Sequence, residues 1–240
     1  MRIAVIGVLG AGACTAAFAA AEKLPSADAV LRELKAGNDH HVAKRYQHPH
    51  QTAARQRELA SGQSPHAIVL SCADSRVAPE IILDQGLGDL FDVRVAGNVA
   101  GDTELASIEY AAEHLHTPLL VVMGHQKCGA VTAAAEGGDA AGHLPPLLAL
   151  IRPAVESARG RSGDLIDNAV RINVETVVRH VRGSKPLLAG LVEHGELTVV
   201  GAVYSLDTGR VSWLPQSQVS MARLEALRPG RACPRTRIDD

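Results

Sequence analysis

Two short apolar segments, residues 67–72 and 118–125, constrain the fold of this chain most strongly. Neither segment alternates apolar with polar residues, and β-branched residues are frequent in both, as in strands buried on both faces. Residues 91–96 and 196–206 are further strand candidates, and the turn Asp207-Thr-Gly209 leads into a last one at 211–214. Helical patterns separate the strands. The chain is therefore predicted to be α/β, with a mostly parallel central β-sheet flanked by helices, an N-terminal helical arm and an antiparallel C-terminal strand.

The predicted helical arm covers residues 26–59. Ser26 can cap its first helix, and Gly37-Asn38 is expected to end that helix. A second short helix is predicted from Thr52 to Leu59. Further helices are predicted at 104–116, 146–158, 166–181 and 186–194.

The composition limits the class of protein. A chain of 240 residues is long enough for one domain with appendages, which we place at residues 22–214, followed by a tail at 215–240. A formal charge of -2 and a pI near 6.6, with aromatic residues at only 2%, argue against nucleic-acid binding. The four cysteines, at 14, 72, 128 and 233, are too few and too scattered for a disulfide framework.

Residues 1–21 resemble a signal peptide. Arg2 is followed by an Ala- and Gly-rich apolar stretch that ends in Ala19-Ala20-Ala21, a suitable cleavage site. The stretch is too weakly hydrophobic for a membrane anchor, so we expect export to the periplasm without further membrane association. A glycine-rich pattern at 3–12 resembles a dinucleotide-binding turn, but the second strand and acidic residue that this motif requires do not follow.

Chemically reactive residues close both apolar segments. Cys72 ends the first segment, His125 ends the second, and Cys128 follows one turn later. A buried Cys alone is usually a small hydrophobic residue, and a lone His is usually a hydrogen-bonded core residue. Because the carboxyl ends of parallel strands meet at one edge of a sheet, the combination instead favours a zinc site. Three protein ligands leave a fourth position for water, as in catalytic zinc sites, and Asp74 and Arg76 form an acid–base pair beside it.

These motifs resemble those of the bacterial β-class carbonic anhydrases. The resemblance covers roughly residues 29–214 and rests on Cys72-Ala-Asp74-Ser-Arg76-Val, on Phe91-Asp-Val-Arg-Val-Ala-Gly-Asn98, on Ile108-Glu-Tyr110-Ala, on Gly124-His125-Gln-Lys-Cys128-Gly129 and on the segment 200–209. It implies one Zn²⁺ per subunit, held by Cys72, His125 and Cys128. The implied reaction is the reversible hydration of carbon dioxide to bicarbonate and a proton. Asp74 would orient the attacking oxygen, and Arg76 would hold Asp74 ionised and away from the metal.

The resemblance also implies a substrate pocket that spans a dimer interface. Gln63, Phe91 and Tyr110 would come from one subunit, and Gly129 would offer its N–H beside the zinc of the other. A homodimer or a higher homo-oligomer is therefore expected, with the arm wrapped around the partner. Without the resemblance, Gln63 would be interpreted as a loop residue and the two aromatic residues as core.

Some features leave alternatives open. His40-His41 depart from the family pattern, and His48-Pro-His50 could transfer protons or form an ordinary solvated turn. The same scaffold could hydrolyse carbon disulfide or carbonyl sulfide, although this needs a narrow apolar entrance. The protein could also be a non-catalytic zinc or thiol-switch interaction protein, against which the pair Asp74 and Arg76 argues.

Overall fold

A five-stranded sheet forms the centre of the computed structural model, which describes residues 25–138 and 140–215. The strand order is β2-β1-β3-β4-β5; the first four strands are parallel, and β5 is antiparallel to β4. The strands are β1 (Ala67–Ser71), β2 (Leu90–Arg94), β3 (Leu119–His125), β4 (Thr198–Tyr204) and β5 (Val211–Trp213). The predicted fold class is confirmed.

Helices occupy both faces of the sheet. They are α1 (Ala27–Ala43), α2 (Ala53–Leu59), α3 (Pro79–Ile82), α4 (Asp102–Glu109), α5 (Gly129–Glu136), α6 (Leu144–Ala158), α7 (Leu165–Gly183) and α8 (Leu188–Glu193). A 3₁₀ turn at Ala96–Asn98 follows β2, and a π-helical turn at Tyr110–His114 extends α4. Every predicted helix is present, the first with a later end than expected and the others with small shifts in their bounds, whereas α3 and α5 were not predicted.

Apolar and polar residues do not alternate in the central strands, because these strands are buried on both faces of the sheet. All residues of β1 and β3 are buried. On one face, residues such as Leu70 pack with Val174 and Val178 of α7. On the other face, residues such as Val69 pack with Val30 and Leu34 of α1. The two layers of helices hold the carboxyl ends of β1 and β3 side by side at one edge of the sheet.

The prediction that Gly37-Asn38 ends the first helix is wrong, because α1 continues to Ala43. A Cβ on Gly37 would lie 1.8 Å from the carbonyl oxygen of Leu83, so glycine permits a close approach between α1 and α3. Asn38 is buried, donates through Nδ2 to two backbone carbonyls and accepts from the Val211 N–H. Tertiary contacts therefore explain both residues.

The helical arm predicted at 26–59 corresponds to α1 and α2, which begin after the capping side chains of Ser26 and Thr52. The predicted signal peptide at 1–21 and residues 216–240 of the predicted tail lie outside the described residues. Within residues 25–138 and 140–215, no helix combines the length and apolar character needed to cross a membrane.

Candidate metal centre

Three potential metal ligands meet at the carboxyl edge of the sheet. Cys72 directly follows β1, His125 is the last residue of β3, and Cys128 immediately precedes α5. Each offers a ligand atom, and these atoms all lie within 4.8 Å of one another. All three residues are buried. The structure thus brings together the three residues that the sequence predicts as a site.

The ring of His125 is oriented for coordination. Its Nδ1 lies 2.8 Å from the carbonyl oxygen of Gln126, to which it donates. Its Nε2 is buried and has no hydrogen-bond partner among the described residues. Most buried polar atoms in native proteins are satisfied, and metal-ligating histidines usually donate their other N–H to such a carbonyl. The orphaned Nε2 beside two thiols fits a metal ligand.

The two thiols lie close enough for each to shift the pKa of the other. The hydrogen bond from Cys128 is the largest influence that lowers the pKa of Cys72, to about 4. The Gly97 N–H, 3.3 Å from the Cys72 sulfur, contributes in the same direction. The hydrogen bond with Cys72, together with burial, raises the pKa of Cys128. Because both sulfurs must be deprotonated to bind a metal, metal binding should release a proton.

The Asp74 carboxylate lies beside this group and is held by Arg76. The Arg76 backbone N–H and Nε each donate to Asp74 Oδ1 at 2.9 Å, and Nη2 donates to Oδ2 at 2.6 Å. These hydrogen bonds hold the pKa of Asp74 well below its usual range. Asp74 Oδ2 lies 3.8 Å from His125 Nε2, so an ionised carboxylate faces the metal ligands.

Arg94 supports residues 72–74, which we call the ligand turn because they follow the metal ligand Cys72. The sequence analysis did not predict this role. The Arg94 side chain, at the end of β2, donates to the carbonyl oxygens of Cys72 at 3.2 Å and of Asp74 at 2.9 Å. It therefore fixes the backbone on which one ligand and the carboxylate are carried. Arginine at the carboxyl end of the strand beside β1 was the available signal, but only the fold shows which carbonyls it reaches.

The predicted substrate-binding residues divide into two groups. Gly129 is the first residue of α5, next to Cys128, and the space where its Cβ would lie is open. Gln63 is exposed and precedes β1, so it lies at the opposite end of that strand from Cys72. A five-residue strand spans about 13 Å between its first and last Cα atoms. Gln63 is therefore not placed beside the metal ligands of its own chain.

Phe91 and Tyr110 form a pair on the surface between β2 and α4. Their ring centroids are 6.1 Å apart, and Phe91 is partly buried. Tyr110 is 48% exposed, so it is not a core residue of this subunit. Phe91 pairs in register with Ile68, the second residue of β1, and so lies toward the amino edge of the sheet.

Known proteins are similar to this chain in sequence. A family model described as "Carbonic anhydrase" matches residues 67–211. Carbonic anhydrase 2 of Mycobacterium tuberculosis is 41% identical over 186 residues, which cover 76% of this chain and 90% of that protein. The carbonic anhydrase of Mycolicibacterium smegmatis is 38% identical over 187 residues, which cover 76% of this chain and 91% of that protein.

Solved structures agree with the sequence relatives. The β-carbonic anhydrase CafA of Aspergillus fumigatus superposes with a TM-score of 0.62 at 31% identity, over 85% of this chain and 99% of that one. A tetrameric β-carbonic anhydrase of Sordaria macrospora has the same TM-score at 26% identity, over 78% of this chain and 97% of that one. The chain thus belongs to the β-class carbonic anhydrases, the enzymes that hydrate carbon dioxide.

Proposed function

We propose that this chain hydrates carbon dioxide reversibly with one zinc ion per subunit, held by Cys72, His125 and Cys128. The observation that carries the proposal is the convergence of three buried donor atoms, one of them the orphaned His125 Nε2, beside an ionised carboxylate. Two sulfurs and one imidazole nitrogen suit zinc, and three protein ligands are typical of catalytic rather than structural sites.

When bound, zinc supplies the acidification of water that makes a hydroxide nucleophile accessible near neutral pH. The protein supplies orientation. The Asp74 carboxylate can accept a hydrogen bond from the attacking oxygen and direct a lone pair of that oxygen toward carbon dioxide. The Arg76 side chain donates hydrogen bonds to both oxygens of the Asp74 carboxylate and keeps it ionised. The Gly129 N–H, at the start of α5, would donate to the oxygens of the product.

We also propose that Gln63, Phe91 and Tyr110 complete the metal site of a second subunit. Their distance from the metal ligands of their own chain supports this assignment, as does the exposure of Tyr110. Around the edge strand β2, Ile81 and Leu87 are also exposed, at 59% and 49%. They line a groove of about 530 Å³ that a second copy of the chain would cover. The solved relatives described as tetrameric support assembly of this kind.

Zinc analysis and stopped-flow carbon dioxide hydration test the proposed function directly. Purified protein should contain one zinc per chain, and Asp74→Ala should retain zinc but lose about 100-fold or more in kcat/KM. A non-catalytic zinc protein would show metal without turnover. An enzyme for carbon disulfide or carbonyl sulfide would favour those substrates over carbon dioxide.

Sedimentation tests the assembly. We expect the wild type to sediment as a dimer or larger, and Ile81→Asp to weaken association because it places a charge within the apolar groove. Leu144→Asp is the matched control, since Leu144 is similarly exposed, at 52%, but lies on α6. A monomeric wild type at assay concentration would contradict the shared site.

We propose further that residues 1–21 direct export and are removed. Arg2, the apolar stretch and Ala19-Ala20-Ala21 support this proposal. Amino-terminal sequencing of the protein from its native cells should begin near Glu22. An intact Met1 in the soluble cytoplasmic fraction would reject export.

A further inference from the structure

His50 is an exposed imidazole fixed by a buried carboxylate. Its Nδ1 lies 2.7 Å from Asp89 Oδ1 and 2.8 Å from Oδ2. The His50 side chain is 48% exposed, whereas that of Asp89 is 1% exposed. Nδ1–H must therefore donate to Asp89, and Nε2 has no protein partner among the described residues. The ring presents a free proton acceptor in a fixed orientation.

The backbone around His50 is held equally firmly. His50 has a φ of 53°, in the left-handed region that non-glycine residues rarely adopt. Its carbonyl accepts from the Leu87 N–H, and the Pro49 carbonyl packs so closely on Gly86 that a Cβ there would lie 2.0 Å from it. Such conformations persist where the surroundings enforce them, and they are frequent at functional sites.

Charged groups lie around the ring. The Asp89 carboxylate, which contacts His50 Nδ1, also accepts from the Gly86 N–H. Arg55 Nη2 lies 3.8 Å from Asp89 Oδ1. Arg55 is itself paired with Glu58 at 3.0 Å.

His50 lies at the same edge of the sheet as Gln63. Asp89 immediately precedes β2, and its carbonyl accepts from the N–H of His66, three residues after Gln63. A cavity of about 310 Å³ is lined by both Gln63 and Arg55, the arginine that approaches Asp89. Arg55 therefore connects the cavity beside Gln63 with the His50–Asp89 pair, and both lie at the amino edge of the sheet.

We propose that His50 is the proton-transfer residue for hydration in the neighbouring subunit. The inference rests on the proposed dimeric site, in which Gln63 reaches the partner's metal centre. Each hydration of carbon dioxide by water yields one bicarbonate and one proton. The proton passes to His50 Nε2, where Asp89 stabilises the positive charge, and then to a dissolved buffer base. This returns the imidazole to its neutral form for the next turnover.

Stopped-flow hydration at low buffer concentration tests the proposal with His50→Ala. Because the proton leaves after the carbon–oxygen bond has formed, kcat should fall about 10- to 100-fold while kcat/KM remains unchanged. Added millimolar imidazole should restore kcat. His48→Ala is the matched control, since His48 is exposed in the same turn and, in the part of the chain that the structure describes, only its backbone N–H bonds to a carboxylate. The control should behave like the wild type.

A measurement independent of turnover tests the geometry. In ¹⁵N NMR spectra of the neutral imidazole, His50 should carry its proton on Nδ1 in both zinc-free and zinc-loaded protein. A proton on Nε2 would overturn the proposal. So would an unchanged kcat in His50→Ala, a parallel loss of kcat and kcat/KM, failure of imidazole to restore kcat, or an equal loss of kcat in His48→Ala.

Gln63→Ala separates this proposal from the one on which it rests. If the shared site is correct but His50 is not involved, Gln63→Ala lowers kcat/KM and His50→Ala has no effect. If the shared site itself is wrong, Gln63→Ala leaves kcat/KM unchanged, and sedimentation shows a fully active monomer.

Discussion

The Asp92 carboxyl should make the stability of this protein decrease as the pH rises. Asp92 lies in β2, and its Oδ1 is buried without a hydrogen-bond partner among the described residues. Burial, followed by the charge of Glu80, raises the pKa of Asp92 to about 8, while Arg94 opposes the rise. The folded protein therefore keeps this carboxyl neutral over a range in which the unfolded chain ionises it.

The direction and size of the effect follow from linkage. An aspartate in the unfolded chain has a pKa of about 3.9. Because the folded pKa is higher, the contribution of Asp92 to stability is fully present below about pH 4 and is lost as the pH rises to about 8. The full difference between the two pKa values corresponds to about 6 kcal/mol as an upper bound. Relaxation around the charge reduces this value, so we expect a gain from Asp92→Asn about 2–4 kcal/mol larger at pH 9 than at pH 5.

Urea unfolding at about pH 5 and about pH 9, at one protein concentration, measures this gain. Glu80→Gln is the control, since it removes the neighbouring charge and should give a smaller gain in the same direction at alkaline pH. Equal effects of Asp92→Asn on the free energy of unfolding at both pH values would refute the reasoning.

Two further predictions concern packing and the ligand turn. Gly37→Ala should destabilise the protein by about 3 kcal/mol, because its Cβ would meet the Leu83 carbonyl, whereas Gly62→Ala should be nearly neutral, since nothing lies within 4 Å of its Cβ. Thermal unfolding compares the two, and equal melting temperatures would contradict the close approach of α1 and α3. Arg94→Met should weaken zinc binding about 10- to 100-fold, because the Cys72 carbonyl and the rest of the ligand turn lose their support. Competition with a zinc chelator measures this loss of affinity. Arg94→Lys should lose less zinc affinity than Arg94→Met. Unchanged zinc affinity in both variants would contradict the role of Arg94 in supporting the ligand turn.

Local patterns predicted the strands and the metal ligands because both depend on features visible along the chain. The run that ends at Cys72 lacks alternation, and two-sided burial of β1 and β3 is the reason. Placing His125 beside Cys72 then required only that parallel strands end at one edge. The polar ends of these strands therefore indicated the site before any contact was known.

Contacts between distant residues could not be predicted in this way. Gly and Asn are typical residues at the end of a helix, but Gly37 and Asn38 lie within α1. Their contacts with α3 and with the segment that leads into β5 explain this position. The His50–Asp89 pair joins residues 39 positions apart, so the sequence alone could not separate it from a solvated turn. Arg94 likewise acts on carbonyls at least 20 residues away.

X-ray absorption at the zinc edge of the purified protein tests the central claim most directly. We predict two sulfur ligands at about 2.3 Å and two nitrogen or oxygen ligands at about 2.0–2.1 Å, from Cys72, Cys128, His125 and one exchangeable position. Cys128→Ser should remove one sulfur and leave the other. A spectrum with four sulfurs, or with none, would contradict a centre built from these three residues.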